Sequence, residues 1–286
     1  MNNHSRKIHE VIYTPDSAIH RPRQMLKEIY SDLFSSGELA WRLMIRNIQG
    51  KYRQAFFGMS WAIIPPIVTA VGLSWASNSG ILNVGETEIP YPAYVMLGMV
   101  LWQTFTEAFN APQTAIKDAK ALLAQVKFPH EAIILSQLGE ICFNLAIKLV
   151  VTIVIFLVFQ APLHWMLPLS IFPIILLIML GTALGLLLVP FINLVEDVSR
   201  SIEIAILIWF LLTPVTYPSP PDGILGAISR LNPVSPLLGG ARGLITTGLL
   251  EMPTGFWVML LLTPLIFILG WLVYRLSIPF IVERIT

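Results

Sequence analysis

Long apolar runs alternate with short polar connections along most of the chain. A hydrocarbon layer about 30 Å thick is crossed by about 20 mainly apolar residues in helical form. Six stretches meet that pattern, at approximately 57–76, 91–111, 133–159, 165–194, 202–217 and 256–274. Pro65 with Pro66, Pro173, Pro190 and Pro264 fall inside them. Membrane helices tolerate proline where neighbours resatisfy the freed carbonyls, so kinks are expected there.

Two polar stretches carry a helical pattern of their own. Before the first apolar run, "ELAWRLMIRNIQGKYRQAFFG" places Glu38, Arg42, Arg46, Gln49 and Arg53 on one stripe. Trp41, Met44, Ile45, Ile48 and Tyr52 form a second stripe. This predicts an amphipathic helix lying in the membrane interface, its basic side chains facing lipid phosphates or an anionic substrate. A plain topogenic anchor is compatible with the same pattern. Farther on, "AIKDAKALLAQVKFPHE" at 115–131 sets Lys117, Lys120, Ala124 and Lys127 on one face and Ile116, Ala119, Leu123 and Val126 on the opposite one. Its helix should stop before Phe128, since a residue preceding proline, here Pro129, is pushed out of the α region. About a dozen residues cannot span a bilayer. They suit a short surface helix that offers one face to a partner or to headgroups; a solvated loop is the plainer alternative.

Composition turns the pattern into a class. Of 286 residues 55% are hydrophobic and 12% charged, with a mean hydropathy of +0.72. Soluble domains carry about 25% charged residues, so this is an all-α integral membrane protein. A net charge of +1 excludes a global field for nucleic acid, and only the placement of charge is informative. With the N-terminus inside, fifteen lysines and arginines fall on the cytoplasmic side against Arg230 and Arg242 outside. The rule that cytoplasmic loops are positive then predicts six spans with both termini cytoplasmic. Residues 1–34 form a cytoplasmic tail and 35–286 the transmembrane domain. The N-terminus shows no apolar core of a cleavable signal peptide. The single Cys142 excludes an intrachain disulfide framework and is expected to be a buried bystander.

Glu107, Glu140, Lys148 and Glu203 lie within apolar runs. Each costs about 2.5–3.5 kcal/mol near a helix centre, so they should face protein or water. Glu140 and Lys148 are too far apart on one straight helix to pair, and neighbouring helices or another subunit must supply their partners. A proton relay is one reading, but four scattered charges favour packing or a wet interior, and a place at the cytoplasmic end of its span is the alternative for Glu203. The connection "TYPSPPDGILGAISRLNPVSPLLGGARGLITTGLLEMP" holds two short apolar segments, about 224–231 and 236–244, broken by proline and glycine. They fit a pair of short outer interfacial or re-entrant helices that gates an exit path or acts as a passive cap.

The chain has no phosphate-binding G-x-x-x-x-G-K-[ST] loop, H-E-x-x-H helix, G-x-S-x-G elbow or aspartate-rich cluster. The five histidines are scattered. No catalytic residue, cofactor or metal site is therefore expected, and an active transporter of this kind must draw its energy from another subunit.

Five ordered blocks carry a resemblance: "RNIQGKYRQAFFGMSWAIIPP", "IPYPAYVMLGMVLWQTF", "LLAQVKFPHEAI", "INLVEDVSRSIEIAILIWFLLTPVTYP" and "LNPVSPLLGGARGLI". From about Ser35 onward the chain resembles the type-2 ABC exporter permeases for lipid-linked polysaccharides, which include O-antigen, capsule and teichoic acid exporters. The resemblance implies a half-transporter: a homodimer of six-span subunits with two separate ABC ATPase subunits beneath. It implies that the cytoplasmic coupling helix maps to 117–129, with Lys117, Ala119, Lys120, Leu123, Val126, Lys127, Phe128 and Pro129 at the ATPase. The interfacial helix maps to 38–56, with Arg42, Arg46, Lys51 and Arg53 toward lipid headgroups, and the outer gate helices to 222–247. Trp61, Trp102, Phe105, Trp209 and Tyr217 match positions proposed to contact sugar rings in a channel, although lipid-facing or belt aromatics explain them as well. One departure is Glu196 before Asp197, where the family often has a basic residue, and no contact is carried over there.

The function expected is ATP-driven export of a lipid-linked glycan across the plasma membrane. An ABC exporter of another lipid or small hydrophobic substrate, or an ATP-independent secondary transporter, is the alternative. A secondary transporter would favour paired ionisable residues and an internal repeat, and no repeat stands out. A membrane-embedded glycan or lipid enzyme would need a catalytic constellation that the sequence does not contain.

Overall fold

The computed structural model describes residues 36–53, 63–82, 84–123, 131–194, 196–220 and 222–285. Nine α-helices carry these segments: α1 (Gly37–Arg53), α2 (Ile64–Asn78), α3 (Tyr91–Leu123), α4 (Glu131–Val158), α5 (Ile171–Leu194), α6 (Glu196–Leu212), α7 (Gly223–Leu231), α8 (Ser235–Thr246) and α9 (Pro253–Ile285). A 3₁₀ turn, Leu167–Ser170, leads into α5. Among the described residues there is no strand.

The bundle is organised around α3. Ala93, Val95, Leu97, Val100, Leu101, Phe105 and Ala108 are enclosed along its length. A helix apolar on all sides is stable only when surrounded by others, and α3 packs against α2, α4, α5 and α8. Close approach to α5 depends on "GTALG", a small-x-x-x-small motif whose glycines let two backbones meet. A Cβ at Gly181 would stand 2.6 Å from the carbonyl oxygen of Phe105, and one at Gly185 would run into that of Phe109. On another side of α5, Gly270 of α9 lies against the carbonyl of Ala183.

The polar and apolar faces of α4 are the reverse of a soluble helix. Gln137, Glu140, Lys148 and Thr152 are buried on the inward face, whereas Val150, Ile153, Val154 and Leu157 are exposed. Outward apolar stripes also run along α2 (Val68, Val71, Trp75) and α6 (Ile204, Leu207, Ile208, Leu211). This is the arrangement of a membrane protein, in which apolar side chains meet lipid or a partner and polar ones meet protein. Three of the described helical units, Glu131–Val158, Leu167–Ile192 and Pro253–Ile278, are long and apolar enough to cross a bilayer.

Four expectations change. The helix of the second apolar run does not stop at residue 111: α3 passes through Pro112 as far as Leu123, so 117–123 belongs to a long helix and not to a separate surface helix. Pro112 is accommodated because it lies over Gly185, where no side chain competes for the space. The run at 202–217 is helical earlier than expected and stops at Leu212. Pro214 disfavours the α conformation at Thr213 and provides no N–H for a continuing ladder. Cys142 is exposed, because its position on α4 points away from the bundle. Arg242, counted as an outer-loop charge, is about 1% exposed inside the fold.

Candidate functional site

Helix α3 carries Glu107 of one ion pair, Trp102 and Phe105 of an aromatic cluster, and Tyr91 and Tyr94 at the break after α6. At its Leu123 end, Ala115 and Ile116 are buried with Ile133, Ile134, Leu186, Val189, Trp271 and Tyr274. The turn that follows, bearing Lys117, Ala119, Lys120 and Leu123, is thus the extension of a helix anchored against α4, α5 and α9. Val126, Lys127, Phe128 and Pro129 lie outside the described residues, as does Trp61.

Midway along, Glu107 of α3 accepts from the Lys148 ammonium of α4, which is completely enclosed. About two turns nearer the start of α4, Glu140 accepts from Lys51 of α1. Neighbouring helices therefore supply both partners, as the spacing of Glu140 and Lys148 requires. Met44, seven residues or two turns before Lys51, lies on Gly139, where a Cβ would collide with its sulfur. The same face of α1 thus delivers a hydrophobic and an ionic contact to α4. Arg42 instead pairs with Glu38 within α1 at 2.7 Å, both well exposed. Arg46 is exposed and donates to Asn47 at 3.3 Å. Arg53 is the last described residue of α1.

Between the ion pairs and the Tyr91 end of α3 sits an aromatic cluster. Trp102 packs against Phe105 (5.4 Å between ring centres), Phe210 (5.7 Å) and Trp209 (6.4 Å), and Phe105 meets Trp209 edge-on at 5.3 Å. Trp102, Phe105 and Trp209 are therefore brought together, across α3 and α6. Tyr217 stands apart, its hydroxyl donating to the Leu211 carbonyl at 2.9 Å. In the single chain Trp102 and Phe105 are enclosed by protein.

The break after α6 exposes backbone carbonyls that the fold must satisfy. Arg242 of α8 donates to the carbonyls of Pro214 (3.1 Å) and Val215 (3.0 Å) and to the Tyr94 hydroxyl, with its guanidinium carbon 3.9 Å from the centre of the Tyr94 ring. Tyr94 donates to Tyr217 O at 3.1 Å and Tyr91 to Thr216 O at 3.0 Å. Gly98 leaves the necessary room, since a Cβ there would be 2.8 Å from Arg242 Nη2. A planar, permanently charged fork suits this task, because it reaches several acceptors at once without losing its charge on burial. Asn232 joins the same region to the aromatic cluster: Trp209 Nε1 donates to its Oδ1 (2.9 Å), and its Nδ2 donates to Thr213 Oγ1 (2.8 Å).

Residues 38–246, more than half of the chain, match the family described as ABC-2 type transporter. The chain belongs to that family. It is also similar to the O-antigen export system permease protein RfbA of Myxococcus xanthus, 25% identical over 193 residues that cover 65% of this chain and 71% of that protein. An ABC-2 permease is the transmembrane subunit of its transporter and pairs with an ABC ATPase subunit.

In this ABC-2 permease Glu107, Glu140 and Lys148 have partners from other helices, Glu203 is exposed on α6, and the Arg242 clamp was missed from sequence. A signal for it was present: "LLGGARGLI" places one arginine in an apolar, glycine-rich stretch, and a charge in such a setting is expected to be enclosed and partnered. Among the described residues no group of histidine, cysteine and carboxylates is placed to hold a metal ion.

Proposed function

We propose that this ABC-2 permease exports a lipid-linked polysaccharide, of the O-antigen, capsule or teichoic acid type, across the plasma membrane, driven by ATP hydrolysis in a separate subunit. Two copies of the chain, each with six spans and cytoplasmic termini, would form the path, with two ATPase subunits beneath. The similarity to an O-antigen export permease supports the substrate class.

The observation that carries the mechanism is the continuity of α3. Residues 117–123, offered to the ATPase, are about 22 Å along the helix from Trp102 at 1.5 Å per residue. The same helix ends at Tyr91 and Tyr94, which hold the break after α6 together with Arg242. A push on 117–129, including Val126, Lys127, Phe128 and Pro129, would be transmitted along one packed rod to the aromatic cluster and then to the α7–α8 pair, the proposed outer gate. Trp61, Trp102, Phe105, Trp209 and Tyr217 would meet sugar rings once the spans part, since stacking on aromatic faces accepts many glycans. Arg42, Arg46, Lys51 and Arg53 on α1 would receive the phosphates of the lipid carrier.

The test is Leu123→Asp, which places a charge on the apolar face of the proposed coupling segment. Co-purification of the ATPase should be lost while the permease itself still folds, and the lipid-linked polymer should accumulate on the cytoplasmic side. Normal ATPase binding and export would exclude this coupling role, and chemical analysis of the accumulated polymer would identify or refute the substrate class.

A further inference from the structure

A cavity between α1, α3 and α4 opens beside Lys51, one of the cations proposed to meet lipid phosphates. It is half open and holds about 200 Å³, and its lining includes Lys51, Glu107, Asn110, Gln137, Glu140 and Asn144. At roughly 30 Å³ per water in the liquid, that is room for several waters or one small polar headgroup. Both carboxylates are only half engaged. Glu140, about 3% exposed, gives Oε1 to Lys51, and Glu107 gives Oε1 to Lys148. The Oε2 atom of each is buried and has no hydrogen-bond partner. The two cations differ in freedom: the Lys148 side chain is wholly enclosed, whereas that of Lys51 is 52% exposed. The cavity therefore has a cation able to swing outward at its mouth and two unfilled acceptors among its walls.

We propose that this cavity takes the zwitterionic headgroup of an ethanolamine phospholipid from the surrounding bilayer, its phosphate on Lys51 and its ammonium on the free oxygens of Glu140 and Glu107. Charge balance selects a zwitterion. Inserted between Lys51 and Glu140, it replaces one ion pair by two and leaves the net charge of a poorly solvated site unchanged. An anion alone would strand Glu140, and a cation alone would add uncompensated positive charge. Hydrogen bonding selects a primary ammonium, which brings three N–H donors to carboxylate oxygens that lack them; a quaternary ammonium brings none. Binding would also part Lys51 from Glu140, leaving α1 on α4 through Met44 and Gly139. The interfacial helix would thereby respond to the composition of the leaflet in which it lies.

This inference rests on the placement of α1 at the membrane interface proposed above, but it is read without ATPase or transport, so a failure of export and a failure of lipid retention are separate results. The full-length protein is reconstituted in phosphatidylglycerol nanodiscs containing equal minor fractions of phosphatidylethanolamine and phosphatidylcholine. It is then re-extracted in mild detergent, and the retained lipid is measured by mass spectrometry. Ethanolamine lipid should be enriched by about tenfold over choline lipid, the discrimination of a charge-assisted hydrogen bond. Glu140→Gln should abolish the preference, and Lys51→Met should weaken retention. Displacement by soluble phosphoethanolamine but not phosphocholine would support recognition of the headgroup itself. Equal retention of the two lipids by the unmodified protein would overturn the proposal whatever the folding of the variants, as would an undiminished preference in Glu140→Gln.

Discussion

Glu107→Gln is the most informative single change, because it removes the counter-charge of Lys148, whose side chain is completely enclosed. Removing one member of a buried ion pair costs about 3–5 kcal/mol. The Glu107 side chain is 32% exposed, so solvent already weakens the pair, and a loss of about 3 kcal/mol is expected. Lys148→Met should cost less, about 1–3 kcal/mol, because the stranded Glu107 carboxylate keeps some contact with solvent. The double variant removes both charges and should return to within about 1 kcal/mol of the unmodified protein, giving a coupling of about 4–6 kcal/mol. Thermal unfolding in nanodiscs reads the series, and Glu107→Gln should lower Tm by about 6–12 °C at roughly 2–4 °C per kcal/mol. If the two single variants simply add in the double, the pair is not an isolated buried ion pair and this account of α3 and α4 fails.

Arg242→Met should destabilise the protein by about 2–4 kcal/mol, since it leaves the Pro214 and Val215 carbonyls unsatisfied. Arg242→Lys should not rescue it in unfolding assays, because an ammonium lacks the fork that spans these acceptors. Gly185→Ala puts a methyl group into the Phe109 carbonyl and should cost about 1–3 kcal/mol. Gly72→Ala meets nothing within 4 Å and should stabilise α2 slightly, so a Tm comparison separates packing from helix propensity. Combined Arg42→Glu and Arg46→Glu should impair export in a cell-surface polymer assay while the ATPase still co-purifies; unchanged export would remove these exposed arginines from substrate handling.

The sequence by itself determined that this is a helical membrane protein with charges that must be partnered inside it. That information is local: apolar length fixes bilayer compatibility, and an ionisable residue in an apolar run has an unfavourable energy wherever it goes unpaired. The amphipathic α1 and the short helices α7 and α8 were legible for the same reason, since periodicity and proline or glycine punctuation act over a few residues. Only the tertiary structure decided which partner each charge found. Lys51 and Glu140 are 89 residues apart, and Lys148 and Glu107 are 41 apart, distances at which no periodicity operates. Likewise the second apolar run ends at about residue 111 in sequence, yet α3 continues through Pro112 because Gly185 on another helix leaves room for the ring. Arg242 reads as a loop charge, yet it is drawn inside by carbonyls that Pro214 frees at the end of α6. In each case the outcome was set by space and hydrogen-bonding groups supplied from remote parts of the chain, which exist as neighbours only once the helices have packed.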